Sequence, residues 1–231
     1  MFLFESDDVL ALDKPPGVSM ATSSKEGKSA EDAVRRLLGA CGVAPPDPLP
    51  LLVHRLDAGT SGVVLFAKTP TAHRALSLSF QERRARKTYR ALVWGHPVPA
   101  KGAIDRALAR DTKDGRKMRV SSGGKPSVTR YATLRRYSSL ADLALQPETG
   151  RTHQIRVHLS AKGHPIVGDD FYGGASRWHG VRDRALREAL ARLTHPLLHA
   201  ERIEIPEMGL DVEAHLPRDY EEILEILRIR K

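Results

Sequence analysis

The residues with the clearest chemical potential lie in one segment, Leu52–Lys68, which reads LVHRLDAGTSGVVLFAK. His54, Arg55 and Asp57 stand between an apolar start and the apolar run Val63–Ala67. An aspartate at the end of a strand is usually a cap or a salt-bridge partner, but an ionised carboxylate can also act as a nucleophile or a base. The glycines of AGTSG favour a tight turn with positive φ over a phosphate-binding loop, because neither a Lys-Ser/Thr pair nor a third glycine follows.

Two further segments carry side chains that could assist Asp57. Lys87–Trp94 (KTYRALVW) places Tyr89 on a predicted strand among basic residues, and such a ring is a stacking surface for a nucleobase. The segment GRTHQIR supplies Arg151 and Arg156, whose guanidinium groups suit phosphates and carboxylates. The three segments together favour chemistry on a nucleic acid.

Metal and sugar chemistry fit the sequence less well. The histidines that could bind a metal form two pairs, His153 with His158 and His195 with His199. The first pair is five residues apart, which splits it across a helix, and the proline in HPLLH argues against a helix for the second pair. No cysteine or paired carboxylate completes a set, so core histidines are the preferred interpretation. Asp57 with Glu148 could form the acid pair of a glycosidase, but 5% aromatic residues offer few platforms for sugars.

Composition indicates a globular protein with a polyanionic partner. The chain has 231 residues, 41% of them hydrophobic, and a formal net charge of +9. Residues 201–231 carry a net charge of −4, so the first 200 residues carry +13, which makes nucleic acid the first candidate partner.

The cysteine count and the distribution of apolar residues bear on disulfide formation and on cellular location. The single cysteine, Cys41, excludes an internal disulfide and any zinc site built on several cysteines. The start MFLFESDDVL lacks a secretory core, and no uncharged run approaches the roughly 18 residues of a membrane span. We therefore expect a soluble cytoplasmic protein without membrane contact.

Strand patterns outnumber helix patterns and are often sequentially antiparallel, which predicts an α+β fold with a central mixed, mostly antiparallel sheet and flanking helices. The predicted strands are Val9–Leu12, the two apolar runs of the opening segment, Thr88–Trp94, Val128–Arg136, Leu140–Gln146, Leu197–Ile205 and Leu210–Leu216. The predicted helices are 29–40 with Ser29 as cap, Thr71–Arg84, Thr152–Lys162, Arg177–Arg192 and Pro217–Arg228. Residues 109–127 show no periodicity and many cations, and they are predicted to form a basic loop that could meet phosphates.

Five segments together resemble the RluA-type family of RNA pseudouridine synthases, in the family's order and over residues 8–205. They are LDKPPGV, HRLDAGTSGVVLFAK, KTYRALVWG, LQPETGRTHQIRVHLSAKGHPIVGD and PLLHAERIEI. The resemblance implies a pseudouridine synthase catalytic domain with a basic cleft, here residues 1–231 as a single domain. It also implies isomerisation of uridine in ribosomal or transfer RNA.

The matching positions imply roles for individual residues. Asp57 matches the catalytic aspartate, which either adds covalently to the substrate or assists loss of a ribose proton, and the sequence leaves both routes open. Tyr89 matches the tyrosine that stacks on the target uracil, and Leu198 an apolar residue on the other face of the base. Arg156 matches the arginine that pairs with the aspartate and keeps it ionised.

The other substrate-binding candidates are Arg55, His54 and Arg151. Since the target base must leave its stack, Arg55 either fills the vacated space or contacts a phosphate.

We expect a monomer. The isomerisation should need no metal, nucleotide or redox cofactor, because it has no net redox or energy requirement. Ala58 and Gly59 depart from the basic and acidic residues that the family often carries there. Since LDKPPGV begins at Leu12 after a short start, we expect no N-terminal S4 module. A non-catalytic RNA-binding protein or chaperone on the same scaffold is the alternative, and the joint presence of Asp57, Tyr89 and Arg156 favours the enzyme.

Overall fold

The computed structural model describes residues 1–22 and 29–229, which form two compact units. The first comprises the described residues of Met1–Lys87 with His199–His215, and the second those of Thr88–Leu198 with Leu216–Lys231. The helices are α1 Ala30–Ala40, α2 Pro70–Gln81, α3 Gln154–Ala161, α4 Arg184–Ala191 and α5 Arg218–Ile229. The strands are β1 Phe2–Glu5, β2 Val9–Lys14, β3 Leu51–Leu52, β4 Ser61–Ala67, β5 Arg86–Trp94, β6 Lys101–Asp105, β7 Leu108–Arg110, β8 Met118–Val120, β9 Val128–Arg136, β10 Leu140–Pro147, β11 Leu198–Ile205 and β12 Leu210–Glu213.

The first unit is organised around β4, whose seven residues are all buried. β2 runs antiparallel to it, with Val9 opposite Ala67, and β11 runs parallel to it, with His199 opposite Ser61. β1 extends the sheet beyond β2, β12 pairs with β11, and the short β3 pairs with the end of β4. A continuous apolar run such as VVLFA is typical of a strand covered on both faces. β4 begins at Ser61, four residues after Asp57.

The second unit contains the antiparallel strands β5, β10, β9 and β6 in that order, and a separate two-stranded hairpin of β7 and β8. α3 packs on β9 and β10, and α4 packs on α5. Two apolar clusters fill this unit. One includes Leu92, Leu190 and Tyr220, and the other includes Leu143 and Leu159.

The predicted fold class is confirmed, since α helices accompany strands whose pairing is mostly antiparallel, with β11 parallel to β4. The predicted start of α1 is also confirmed, because the Ser29 hydroxyl accepts a hydrogen bond from Asp32 N–H and the Asp32 side chain accepts one from Ser29 N–H. None of the helices in the described residues is long and apolar enough to cross a membrane.

Several element predictions were wrong. The segment 109–127 is not an irregular loop, because β7 and β8 form a hairpin with Arg110 opposite Met118. The predicted helix Arg177–Arg192 is a 3₁₀ turn at Ser176–Gly180 followed by α4, which Asp183 caps by accepting from Leu186 N–H. The predicted helix Thr71–Arg84 ends at Gln81, and Arg83 adopts a left-handed φ of 61°.

Candidate active site

Asp57 lies in the loop between β3 and β4, and hydrogen bonds hold this loop at the aspartate and at the residue after it. The carbonyl oxygen of Asp57 accepts from Thr60 N–H at 3.1 Å. The carbonyl of Ala58 accepts from Gly17 N–H at 2.8 Å and from Lys14 Nζ at 2.9 Å. Asp57 itself is half-buried. The backbone at the aspartate is therefore fixed while its carboxylate retains access to solvent.

Lys14 is a fully buried cation beneath the Asp57 loop. Its ammonium also donates to the carbonyl oxygen of Pro15 at 2.9 Å. Burial lowers the pKa of Lys14 to about 8, and the negative charge of Asp57 opposes that change by favouring the ammonium form. Lys14 was not among the residues predicted from the sequence, because nothing in the sequence distinguishes a buried lysine from an exposed one.

The turn after Asp57 is closed by contacts between β4 and β11. Gly62 has φ +110°, and a Cβ at this position would lie 2.2 Å from the carbonyl oxygen of Ala200. The Ser61 hydroxyl lies 2.9 Å from His199 Nδ1, and His199 Nε2 donates to Ala214 O at 3.1 Å. The predicted positive φ is thus found at Gly62, and His199 is a hydrogen-bonded core histidine.

His54 and Arg55 occupy different environments although they are adjacent. His54 Nε2 accepts a hydrogen bond from Leu65 N–H at 2.9 Å, and its ring stacks on Phe80 at 4.6 Å. Burial, together with the positive charge of Lys87, lowers the pKa of His54 to about 3, so the ring is neutral with its proton on Nδ1. His54 thereby ties the loop to β4, whereas Arg55 is exposed.

Tyr89 and Leu198 lie in the second unit and belong to one apolar cluster. Tyr89 is on β5 opposite Leu145, half-buried, and packs against this cluster. Leu198 is 4% exposed and is the first residue of β11. The structure therefore brings together the two residues that the resemblance implies as contacts of the uracil.

Arg156 is buried on α3 and forms a two-pronged ion pair with Asp169. Its Nε and Nη2 donate to the two carboxylate oxygens of Asp169, both at 2.8 Å. Its guanidinium carbon lies 5.1 Å from the ring centre of Tyr172 and 5.5 Å from that of Phe171. Asp169 was not predicted from the sequence, and pairing of Arg156 with Asp57 stays a prediction.

The segment before α3 is fixed by a hydrogen-bond network around Tyr172. The Tyr172 hydroxyl accepts from Met118 N–H at 3.0 Å and lies 2.7 Å from His153 Nδ1. His153 adopts a left-handed φ of 55° directly before α3. His158, buried on α3, is hydrogen-bonded to Thr129 and to the carbonyl of Arg106, as the preference for core histidines predicted.

Arg151 is half-buried in the turn before α3. Its N–H donates to Gln154 Oε1 at 3.1 Å, and Gln154 in turn donates to Val128 O at 2.9 Å. The Arg151 Nε is buried and meets no hydrogen-bond acceptor among the described residues. Within those residues, no three histidine, cysteine or acidic side chains are grouped closely enough to hold a metal ion.

Comparison with known proteins gives consistent matches over most of the chain. The family model described as RNA pseudouridylate synthase matches residues 8–161. Ribosomal large subunit pseudouridine synthase D of Pseudomonas aeruginosa is 36% identical over 236 residues, covering 98% of this chain and 71% of that protein. The dual-specificity RNA pseudouridine synthase RluA of Escherichia coli K12 is 35% identical over 224 residues, covering 95% of this chain and 94% of that protein.

Solved structures of human proteins agree with these matches. Human RNA pseudouridylate synthase domain containing 4 aligns with a TM-score of 0.75 and 27% identity over 98% of this chain and 92% of its own. Human RNA pseudouridylate synthase domain containing 1 aligns with a TM-score of 0.70 and 28% identity over 98% and 94%. The chain belongs to the RNA pseudouridylate synthase family, is of the RluA type, and is an RNA pseudouridine synthase.

Proposed function

We propose that this chain converts specific uridines of ribosomal or transfer RNA to pseudouridine, with Asp57 as the catalytic residue. Two relatives support an RNA substrate, since one is named for the large ribosomal subunit and the other for a dual specificity on RNA. We further propose that the enzyme works as a monomer in the cytoplasm, where a free thiol such as that of Cys41 is stable.

The reaction rearranges bonds within one nucleotide. The bond between uracil N1 and ribose C1′ breaks, the ring turns, C1′ bonds to C5, the C5 proton leaves and N1 gains a proton. Asp57 supplies the carboxylate, either as a nucleophile or as a base that removes a ribose proton. The observation that carries this assignment is the fixed backbone at the half-buried Asp57 and at Ala58, held by Thr60 and Lys14 respectively.

Tyr89 and Leu198 supply the apolar contacts of the uracil in this proposal. Their membership of one apolar cluster supports it, and the partial exposure of Tyr89 leaves area on the ring for a base. Stacking on an aromatic ring contributes about 1–3 kcal/mol per base. A base held by flat contacts can rotate in its own plane, as the reaction requires.

The basic residues bind and orient the RNA. Arg156 pairs with the catalytic carboxylate in this proposal, and its fixed orientation by Asp169 supports a positioning role. Arg55 is exposed, which suits either of its two proposed contacts, the vacated base stack or a phosphate. Arg151 contacts the RNA, and His54 acts by holding the loop that carries Asp57.

Mapping pseudouridines in total RNA from cells with and without the gene tests this function and identifies the RNA class. The proposal predicts that one or a few pseudouridines in ribosomal or transfer RNA disappear without the gene and return when it is restored. Unchanged maps of both RNA classes would contradict the proposal.

A further inference from the structure

A cleft in the second unit lies between the β7–β8 hairpin and the turn before α3. Its volume is about 510 Å³. Its lining consists of Leu108, Ala109, Arg110, Met118, Gly123, Gly124, Lys125, Gly150, Arg151 and Thr152. These elements are far apart in sequence, so the cleft arises from the fold.

The charge of the lining is entirely positive. Arg110, Lys125 and Arg151 are its charged residues, and no lining residue is acidic. Two acidic residues of nearby segments pair with cations outside the lining: Asp114 pairs with Arg116 at 3.0 Å, and Glu148 pairs with Arg130 at 2.5 Å. Three cations without an acid in the same lining favour an anionic ligand.

A second cleft of this unit shows the opposite arrangement. Its charged lining residues are Arg192, His195, Asp219 and Glu222. Arg192 pairs with Glu222 at 2.5 Å and His195 with Asp219 at 2.8 Å, so its charges compensate one another. Of these two clefts, only the one at the hairpin presents cations alone.

The Nε–H group of Arg151 is a buried donor that forms no hydrogen bond with the described residues. Its Nε is inaccessible to solvent and has no acceptor among them. A buried N–H group is normally hydrogen-bonded, so this side chain gains a hydrogen bond if it turns towards a ligand oxygen in the cleft.

The frame of the cleft is held by hydrogen bonds. Lys125 N–H donates to Leu108 O at 2.8 Å, and Leu108 N–H donates to Lys125 O at 2.9 Å. A Cβ on Gly124 would lie 2.4 Å from the carbonyl carbon of Leu108, so only glycine fits this close approach. On the other wall, Gln154 fixes the backbone of Arg151.

We propose that this cleft binds phosphate groups of the RNA backbone through Arg110, Lys125 and Arg151. The inference rests on the proposed function, because it takes the substrate RNA as the ligand. The volume falls in the range of roughly 300–1,000 Å³ usual for ligand sites and exceeds the space that one phosphate needs. An open cleft of this size therefore suits a run of sugar and phosphate better than a single free anion.

The test measures binding of a fluorescein-labelled transfer RNA transcript as a function of salt concentration. The variants are Lys125→Gln and Arg151→Gln, and the matched control is Lys113→Gln, an exposed lysine of the same hairpin outside the cleft. Each lost phosphate contact should reduce the slope of log K against log salt by about 0.7–0.9. We expect that reduction for K125Q and R151Q, and a wild-type slope for K113Q. Matching thermal unfolding curves verify that the variants are folded.

Two results would overturn the proposal. The first is equal slopes for K125Q, R151Q and K113Q. The second is saturable binding of inorganic phosphate to the wild type that R151Q abolishes while the RNA slope stays unchanged, since the cleft would then hold a free anion.

Failure of the proposed function is recognised separately, because RNA binding is measured without turnover. Reduced slopes in a protein that forms no pseudouridine would support the phosphate site and reject the enzymatic role. Unchanged slopes in a protein that forms pseudouridine would reject only the phosphate site.

Discussion

Among individual residues, Asp169 has an unusually complete set of hydrogen bonds. Its side chain is fully buried, and its carboxylate accepts from Arg156 Nε and Nη2 and from the N–H groups of Phe171 and Tyr172. The pair thereby connects α3 to the segment that carries the Tyr172 ring. Removing one partner leaves the other charge buried and uncompensated.

We expect Asp169→Asn to lower the free energy of unfolding by about 3–5 kcal/mol, because the Arg156 guanidinium stays buried without its counter-charge. The matched control is Asp211→Asn, which removes the partner of Arg202 in an exposed pair and should have little effect. Urea unfolding of both variants provides the measurement. A similar loss of unfolding free energy in the two variants would show that the buried pair stabilises the protein no more than the exposed pair does.

His54 makes stability depend on pH in the acidic range. An unfolded histidine takes up a proton near pH 6.5, but the folded His54 does so only near pH 3. Between these values the unfolded state binds more protons, so stability falls as the pH falls, by up to about 1.4 kcal/mol per pH unit.

We expect His54→Gln, whose side-chain oxygen can still accept from Leu65 N–H, to remove this contribution and flatten the curve between pH 6.5 and pH 3. His179→Gln, at an exposed histidine, is the control and should keep the wild-type slope. Urea midpoints across this range provide the measurement. Parallel curves for the wild type and H54Q would reject the burial effect at His54.

At the level of elements, the parallel pairing of β4 and β11 depends on Gly62. Its φ of +110° and the approach of the Ala200 backbone leave no room for a side chain. Gly62→Ala should destabilise the protein by at least about 1–3 kcal/mol, since a strained φ alone costs that much.

The control for Gly62 is Gly39→Ala in α1, where a Cβ would meet nothing within 4 Å. Alanine in a helix interior is favoured over glycine by about 0.5–1 kcal/mol, so this variant should be slightly more stable than the wild type. Opposite signs in thermal unfolding are therefore expected. A stability of G62A equal to that of G39A would contradict the close approach of the two strands.

Elements specified by local signals could be predicted from the sequence, and elements specified by distant contacts could not. The capping box at Ser29 and the apolar run of β4 were sufficient to locate α1 and β4. The β7–β8 hairpin has short polar strands, and it is held by contacts such as Met118 N–H to the Tyr172 hydroxyl, 54 residues away. A contact between residues so far apart cannot be read from the local sequence of the hairpin.

The same distinction applies to the candidate site. Asp57 and Tyr89 were found because they stand in motifs with a fixed order, and the family is confirmed. Lys14 and Asp169 were missed, since the importance of each follows from its burial and its hydrogen bonds. Pairing of Arg156 with Asp57 was implied by the resemblance, and it remains a prediction.

At the level of the whole molecule, charge and family lead to the same partner. The net charge of +9 favours a polyanion, and the family acts on RNA. The expectation that residues 1–231 work as a single catalytic domain stays a prediction, as the described chain folds into two compact units. What distinguishes an enzyme from an RNA-binding protein on this scaffold is the chemistry of one carboxylate.

The most direct measurement is release of tritium from RNA labelled at C5 of uridine, compared between the wild type, Asp57→Asn and Asp7→Asn. Asp7 is exposed in the turn between β1 and β2, so its variant controls for loss of one charge. We predict that the wild type and D7N release tritium alike, and that D57N releases none while its RNA affinity stays within a few-fold of the wild type. Release by D57N at the wild-type rate would contradict the catalytic role of Asp57.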